Sequence, residues 1–265
     1  MVVSSNKFSK GRPDYLSRVY TRKKLYEHYM PIDEEELKGI EKIERYKMVY
    51  TSNKIEGNSY TEDESFVLLE KGNPSKQKPF KDAMEISNLN RATLYCQFYN
   101  GEFNIDFIKK VHRIITAGTL DDPSDEGEYK RVRNWVGDLN TCPPNAVEKE
   151  MNALLNFYNN CVGIVDPILL ACRFKYRFLV IHPFIDGNGR ASRLLFNYIL
   201  KCHGFIPTIV SYEDRSKYYE ALRESNRVSI ETRDKFGCDS LEEFMCGCLL
   251  ESYEKRIYML EGDFE

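Results

Sequence analysis

The longest apolar run of the chain, Ile168 to Ile181, is apolar on nearly every side, which a helix lying on the surface would not be. It predicts a buried central helix, with Asp166 as its cap and Pro167 in its first turn. Other segments keep a one-sided helical spacing. Ile105, Ile108, Val111, Ile114 and Ile115 form a stripe ending by Gly118, and Val147, Met151, Leu154, Leu155 and Tyr158 form another. Leu194, Leu195, Tyr198 and Ile199 continue a helix that starts from Arg190 and that Gly204 can end. Capping boxes are expected at Asp33 with Glu36, Thr61 with Glu64 and Ser240 with Glu243. The stretches 72–79 and 121–127 are polar loops carrying Pro and Gly. One segment breaks the helical pattern: Arg131, Arg133 and Trp135 alternate with Val132, Asn134 and Val136, permitting a strand that turns at Gly137. The expectation is an all-α domain with one hairpin.

The chemistry is concentrated where the central helix ends. His182 to Arg190 reads His-Pro-Phe-Ile-Asp-Gly-Asn-Gly-Arg, with Arg193 three positions on. Pro183 biases His182 out of helical geometry, so an imidazole should project from a loop anchored on a rigid element. Gly187, Asn188 and Gly189 form a turn that tolerates positive φ and leads into a helix N-terminus, whose unpaired N–H groups favour a polyanion. Arg190 and Arg193 share a helix face and can both fork onto phosphate oxygens. Asp186 is a hard oxygen ligand suited to Mg²⁺ that also bridges phosphates.

These residues resemble the core motif of the Fic family, His-x-Phe-x-(Asp/Glu)-Gly-Asn-Gly-Arg-x-x-Arg, at every fixed position. The resemblance implies a Fic-fold helical domain with a small β-hairpin flap, and ATP and Mg²⁺ as cofactors. It also implies transfer of AMP from ATP to a Ser, Thr or Tyr hydroxyl of a target protein or of the chain itself, with His182 as catalytic base. The likeness extends over roughly residues 45 to 226. Gly127 to Gly137, followed by Cys142, Pro143 and Val147, resembles the flap (129–145), on which a target strand would dock by β-augmentation. Val136 and Gly137 would then border the nucleotide, along with Asp186, Gly187, Asn188, Gly189, Arg190 and Arg193. Lys217 to Asn226 resembles the segment closing over the nucleoside, placing Tyr218 and Tyr219 near adenine and Asn226 in hydrogen-bonding reach. Without the resemblance, Tyr218 and Leu222 are an ordinary i, i+4 pair on one helix face.

A second motif, Ser52 to Asn58, resembles the family's inhibitory sequence (Ser/Thr)-x-x-x-Glu-(Gly/Asn), here Ser52 with Glu56 and Gly57. Its place ahead of the core resembles the class with an N-terminal inhibitory helix. There the glutamate pairs with the second arginine, here Arg193, and takes the place of the γ-phosphate. Other activities of the same site stay open: removal of AMP with Glu56 positioning water, another nucleotidyl or phosphoryl transfer, or a toxin-type interaction module. A Doc-like kinase is disfavoured, because Gly187 and Gly189 leave room for the usual nucleotide pose.

Composition adds boundaries. The chain has 265 residues, 42% of them hydrophobic, and carries 38 basic against 41 acidic side chains. That balance provides no basic field for nucleic acid. The local run Arg12, Arg18, Arg22, Lys23, Lys24 reads as a solvated face. No stretch approaches the ~18 consecutive apolar residues of a membrane helix, and the N-terminus lacks an apolar signal core, so a soluble, cytoplasmic chain is expected. The eight cysteines form no Cys-x-x-Cys pair and read as reduced, mostly buried thiols. His28, His112 and His203 lack the context of His182 and read as structural or surface residues. The expected divisions are an N-terminal helical region (1–100) with the inhibitory motif (52–58), a core (101–230) with the flap and the active-site loop (182–193), and a C-terminal helix (231–265) serving as a cap or a dimer face.

Overall fold

A computed structural model describes residues 13–262 apart from 137 and 138, so Arg12 and Gly137 lie outside the described residues. Among the described residues ten α-helices follow one another: α1 (Asp14–Glu27), α2 (Glu34–Ile55), α3 (Glu62–Lys71), α4 (Phe80–Phe98), α5 (Ile105–Thr116), α6 (Pro144–Cys161), α7 (Pro167–Ile181), α8 (Asn188–Cys202), α9 (Arg215–Thr232) and α10 (Asp239–Leu260). The apolar run forms α7, capped as its sequence predicts: the Ile168 N–H donates to Asp166 Oδ1 at 3.0 Å, and Pro167, which has no N–H to satisfy, occupies the first position. Ile168, Leu170, Ala171, Phe174, Phe178 and Ile181 of this helix are all fully buried. It packs against α6, α8 and α10, while α2 crosses α4 and α8, and α1 lies on α10. Buried side chains from all ten helices join in one hydrophobic cluster. The strongest internal frame therefore stands behind the loop that joins α7 to α8.

Several expectations are corrected. Ser240 lies inside α10, which starts at Asp239 after Cys238 with no side-chain cap, so Ser240 and Glu243 form no capping box. Asp33 does cap α2, accepting from the N–H groups of Glu35 and Glu36, and the reciprocal box is complete only at Thr61 with Glu64. α8 begins at Asn188 rather than Arg190, because a single left-handed residue, Gly187 at φ 75°, suffices to turn the chain and Gly189 is already helical. The alternating segment from Arg131 does not run as a long strand. Arg131 is drawn to the preceding turn, donating to Ser124 Oγ and Asp125 Oδ1, both at 2.8 Å. Two-residue strands β1 (Trp135–Val136) and β2 (Leu139–Asn140) pair antiparallel, with Trp135 opposite Asn140 and Val136 opposite Leu139. All eight cysteines are free thiols, and no helix among the described residues is long and apolar enough to cross a membrane.

One polar contact ties the ends of the helical array together. Arg256 of α10 donates through Nε to Glu44 Oε1 of α2 at 2.8 Å and through Nη2 to Glu44 Oε2, while Nη1 reaches the Tyr26 hydroxyl of α1 at 3.3 Å. Both charges are buried, so losing one strands the other without solvent. Arg256→Met should destabilise the protein by about 3 kcal/mol or more. Glu44→Leu combined with Arg256→Met should recover much of that loss. Urea denaturation midpoints of the single and double variants check this; equal losses in both would show that packing, not charge, is at stake.

Candidate active site

α7 stops at His182. The His182 N–H still donates to Phe178 O at 2.9 Å, but its backbone has turned left-handed, at φ 51° and ψ 62°. Pro183 bars the right-handed helical region, and a histidine in the left-handed one costs roughly 1–2 kcal/mol, so the loop beyond must hold it there. It does so through a buried frame. Asn188 accepts from the Phe184 N–H at 3.0 Å and donates to Phe184 O at 2.8 Å, closing the loop on itself. The Phe184 ring stacks on the His112 imidazole of α5 with centroids 3.7 Å apart. His112 Nδ1 accepts from the Gly127 N–H at 3.0 Å, leaving Nε2 to donate to Asp186 O at 2.8 Å. These bonds fix its tautomer, and burial pushes its pKa down to about 4. Gly187 lies so close to this frame that a Cβ there would come within 2.9 Å of Thr116 Cγ2 and 3.3 Å of His112 Nε2.

The phosphate-type cradle at the start of α8 already faces an anion. Glu56, the residue that ends α2, places Oε1 2.7 Å from Arg193 Nη2. Arg193 Nε donates to Ser52 Oγ and Nη2 to Ser52 O, both at 2.9 Å. Two of the three guanidinium nitrogens, Nε and Nη2, are thus engaged, and the side chain is only 8% exposed. The same carboxylate covers Gly189: a Cβ added there would collide with Oε1. Glu56 therefore sits on the first turn of α8 as well as on its arginine. Arg190, also buried, faces Glu85 of α4 at 3.1 Å and Asp186 at 3.7 Å. Glu85 accepts in turn from Asn58 Nδ2 at 3.1 Å, so both arginines are tied to the segment 52–58, one of them through Glu85.

His182 is partly buried, and its pKa is pushed down to about 4 by burial first and by the charge of Lys130 second, with Glu56 and Asp186 acting in the other direction. At neutral pH it is an uncharged base. Asp186 turns one oxygen to the Gly187 N–H at 2.6 Å, yet its side chain remains 60% exposed, leaving a hard carboxylate open beside the cradle. One such ligand fits Mg²⁺, which takes few protein carboxylates and completes its shell with phosphate oxygens and water. Lys175, wholly buried on α7, donates to Ser192 Oγ at 3.2 Å, and Ser192 donates to Gly189 O at 2.8 Å. Its Nζ lies 5.1 Å from the centre of the Tyr218 ring.

The structure thus gathers Ser52, Glu56, Gly189 and Arg193 into one contact, and Asp186 with Arg190 into another. Asn188 and Gly187 shape the loop. Tyr218 is buried, packed against Lys175 and Phe244, whereas Tyr219 is 39% exposed and its hydroxyl donates to Ile55 O at 3.5 Å. Asn226 accepts from the Tyr176 hydroxyl at 3.5 Å, one helix away from the loop. Val136 is placed only by its pairing with Leu139. His112, Glu85, Lys130 and Lys175 were not singled out as site residues. The signal for His112 was present: it shares the buried face of α5 with Ile108 and Ile115, where an imidazole must find partners.

Residues 102–200 match the model of the Fic/DOC family. The chain is 33% identical over 190 residues to the protein adenylyltransferase Fic of Nematostella vectensis, covering 70% of this chain and 44% of that protein. It is 30% identical over 184 residues to the protein adenylyltransferase fic-1 of Caenorhabditis elegans, covering 67% and 36%. It therefore spans less than half the length of these two relatives. A Fic domain-containing signaling protein from Bacteroides thetaiotaomicron superposes with a TM-score of 0.83 at 25% identity, covering 94% of this chain and 97% of that one.

The His112 frame has a pH consequence. An unfolded histidine titrates near its ordinary value of 6.5, whereas folded His112 titrates near 4, so between these values the unfolded state binds the extra proton and stability falls as pH falls. The loss from this residue between pH 7 and pH 4.5 should be about 2–3 kcal/mol. His112→Gln keeps a donor and an acceptor but no titration, so its urea midpoint should depend less on pH across that window. An equally steep dependence would remove His112 as its source.

Proposed function

Since this chain belongs to the Fic/DOC family, we propose that it is an autoinhibited protein adenylyltransferase, moving AMP from ATP to a hydroxyl of a target protein. The observation that carries this reading is the Glu56 carboxylate seated on both Arg193 and Gly189, where a phosphate would otherwise meet the guanidinium and the helix N-terminus. With the carboxylate withdrawn, the first turn of α8 and Arg193 would receive the triphosphate. His182, neutral at pH 7, would accept the proton of the target hydroxyl. The hydroxyl oxygen would then bond to the α-phosphorus as the bond to the β-phosphate oxygen breaks, giving an adenylylated side chain and pyrophosphate. The cradle supports this chemistry by positioning and charge neutralisation. Asp186 would hold Mg²⁺, whose charge would offset that of the phosphates.

Within this reading the segment 129–145 is the flap, whose short β1–β2 pairing would register a target strand, with Val136 bordering the nucleotide. Tyr219, being partly exposed beside the Glu56 end of α2, is better placed to meet the nucleoside than Tyr218, whose ring is buried. Tyr218 would then support the pocket from behind.

Glu56→Gly should raise self-labelling from α-labelled ATP by about 10- to 100-fold, because a charge-assisted hydrogen bond and its geometry contribute about 1.5–3 kcal/mol net. Adding Arg193→Ala should erase the gain. His182→Ala in the Glu56→Gly background should cut transfer by about 100-fold or more while ATP still binds by calorimetry. Asp186→Ala should lower Mg²⁺-dependent turnover and raise the Mg²⁺ concentration needed for half-maximal rate, because the lost carboxylate would serve the metal. Faster transfer of γ- than α-label would replace adenylylation with a kinase activity. A folded, ATP-binding Glu56→Gly protein that labels no faster than its parent would sink the inhibitory role.

A further inference from the structure

Lys130 lies outside the catalytic motif, yet its ammonium is buried, the residue being 3% exposed. Its three donors are directed at three acceptors: Asn134 Oδ1 at 2.6 Å, Thr141 Oγ1 at 2.8 Å and Ile181 O at 3.4 Å. Asn134 precedes β1 and Thr141 follows β2, so one cation gathers both ends of the short strand pair. Ile181 immediately precedes His182. From its backbone, Lys130 also donates to Pro183 O at 2.9 Å, and Asn134 Nδ2 donates to Phe184 O at 2.8 Å. The carbonyls on either side of His182 are therefore both taken by Lys130, and the next one by its partner Asn134.

We propose that Lys130 is a positioning residue that locks the strand pair to the catalytic loop, so that the edge receiving a target and the base accepting its proton move as one body. This rests on the adenylyltransferase reading above. Burying a cation is costly, and a purely structural stitch could be made by an uncharged side chain. The charge has a use here because it stands beside His182, where it opposes protonation of the imidazole. Lys130 is the cation acting this way, and Glu56 from the end of α2 and Asp186 from the loop favour protonation. Burial pushes the pKa of Lys130 itself down to about 8, with Cys142 the titratable group facing it, so the ammonium keeps its charge through neutral pH.

The test uses the full chain carrying Glu56→Gly, compared with the same protein bearing Lys130→Met or Lys130→Arg. Lys130→Met should lower the self-labelling kcat by about 100-fold, since a displacement on the ångström scale suffices for such a loss. KM for ATP should change much less than kcat, because the first turn of α8 and Arg193 that would receive the phosphates are untouched and the strand pair would only border the nucleotide. The pKa of His182, followed by NMR of the imidazole C–H resonances with His182→Ala for assignment, should rise by about one unit in Lys130→Met. Lys130→Arg, which keeps the charge and its donors, should retain a low His182 pKa and much of the activity. Circular dichroism and thermal unfolding confirm that each variant is folded. A His182 pKa unmoved by Lys130→Met, or labelling undiminished by it, overturns the proposal. Should the Glu56→Gly parent transfer nothing, the adenylyltransferase reading fails by itself, and the NMR titration still decides whether Lys130 governs the base.

Discussion

The contact between Glu56 and Arg193 over the Cα of Gly189 is the interaction on which the rest of the site depends. A helix N-terminus and a buried guanidinium form an anion site whatever the anion is, and leaving both empty in a buried place would cost several hydrogen bonds. Here the anion is supplied by the chain itself, from the residue that caps the C-terminus of α2. The attachment is intimate but local. Arg193 is bound by Ser52 through both side chain and backbone, so the guanidinium stays fixed whether or not Glu56 is present. Glu56 is 34% exposed and followed by Gly57 at φ 94°, so it can leave without disturbing the core. The arginine is preorganised and the carboxylate is the replaceable partner.

Around that contact the molecule spends buried polar groups to hold a strained loop. His182 in the left-handed region is kept in place by a chain of satisfied bonds: Asn188 on Phe184, Phe184 on His112, His112 on Asp186 and Gly127, and Lys130 on the carbonyls flanking the base. Both imidazoles in this chain are driven toward neutrality, His112 by burial and His182 by burial with a neighbouring cation. Desolvation thus keeps both imidazoles neutral at pH 7, while hydrogen bonds hold that of His112 in one tautomer.

Much of this was legible in the sequence because the signals were local. The apolar run of α7, its Asp166 cap, the His-Pro stop and the glycine turn all act within a few residues of themselves, and the contact of Glu56 with Arg193 followed from two motifs read together. What stayed hidden depends on tertiary approach. Nothing near Lys130 in sequence announces that one of its acceptors lies at 181, and Glu85 gains meaning only when α4 brings it to Arg190. The Ser240 cap does not form because α10 starts two residues earlier, at Asp239, and the strand permitted from Arg131 is confined to Trp135–Val136, with Arg131 held by the acidic turn at 122–125. Tyr218 had an ordinary reading as one face of a helix, and its buried ring agrees with that reading as far as packing goes.

The relation between the two arginines and the segment 52–58 limits how inhibition can be relieved in the proposed reading. Glu56 and a γ-phosphate would compete for the same guanidinium, so a ligand that merely binds tightly elsewhere shifts nothing; relief requires something that binds better once Glu56 has moved. Arg190 is tied to the same segment through Glu85 and Asn58, and Asn58 is held in turn by Asp82 O at 3.0 Å. Movement of the end of α2 that carried Asn58 with it would therefore disturb Arg190 too, whereas a local swing of Glu56 alone would free Arg193 and leave Arg190 seated. Only the second motion yields a cradle with one arginine released and the other still aligned, which is the state a triphosphate needs. The rigid attachment of Asn58 to α4 favours that local swing, and it places the regulatory freedom in a single side chain at the end of a helix.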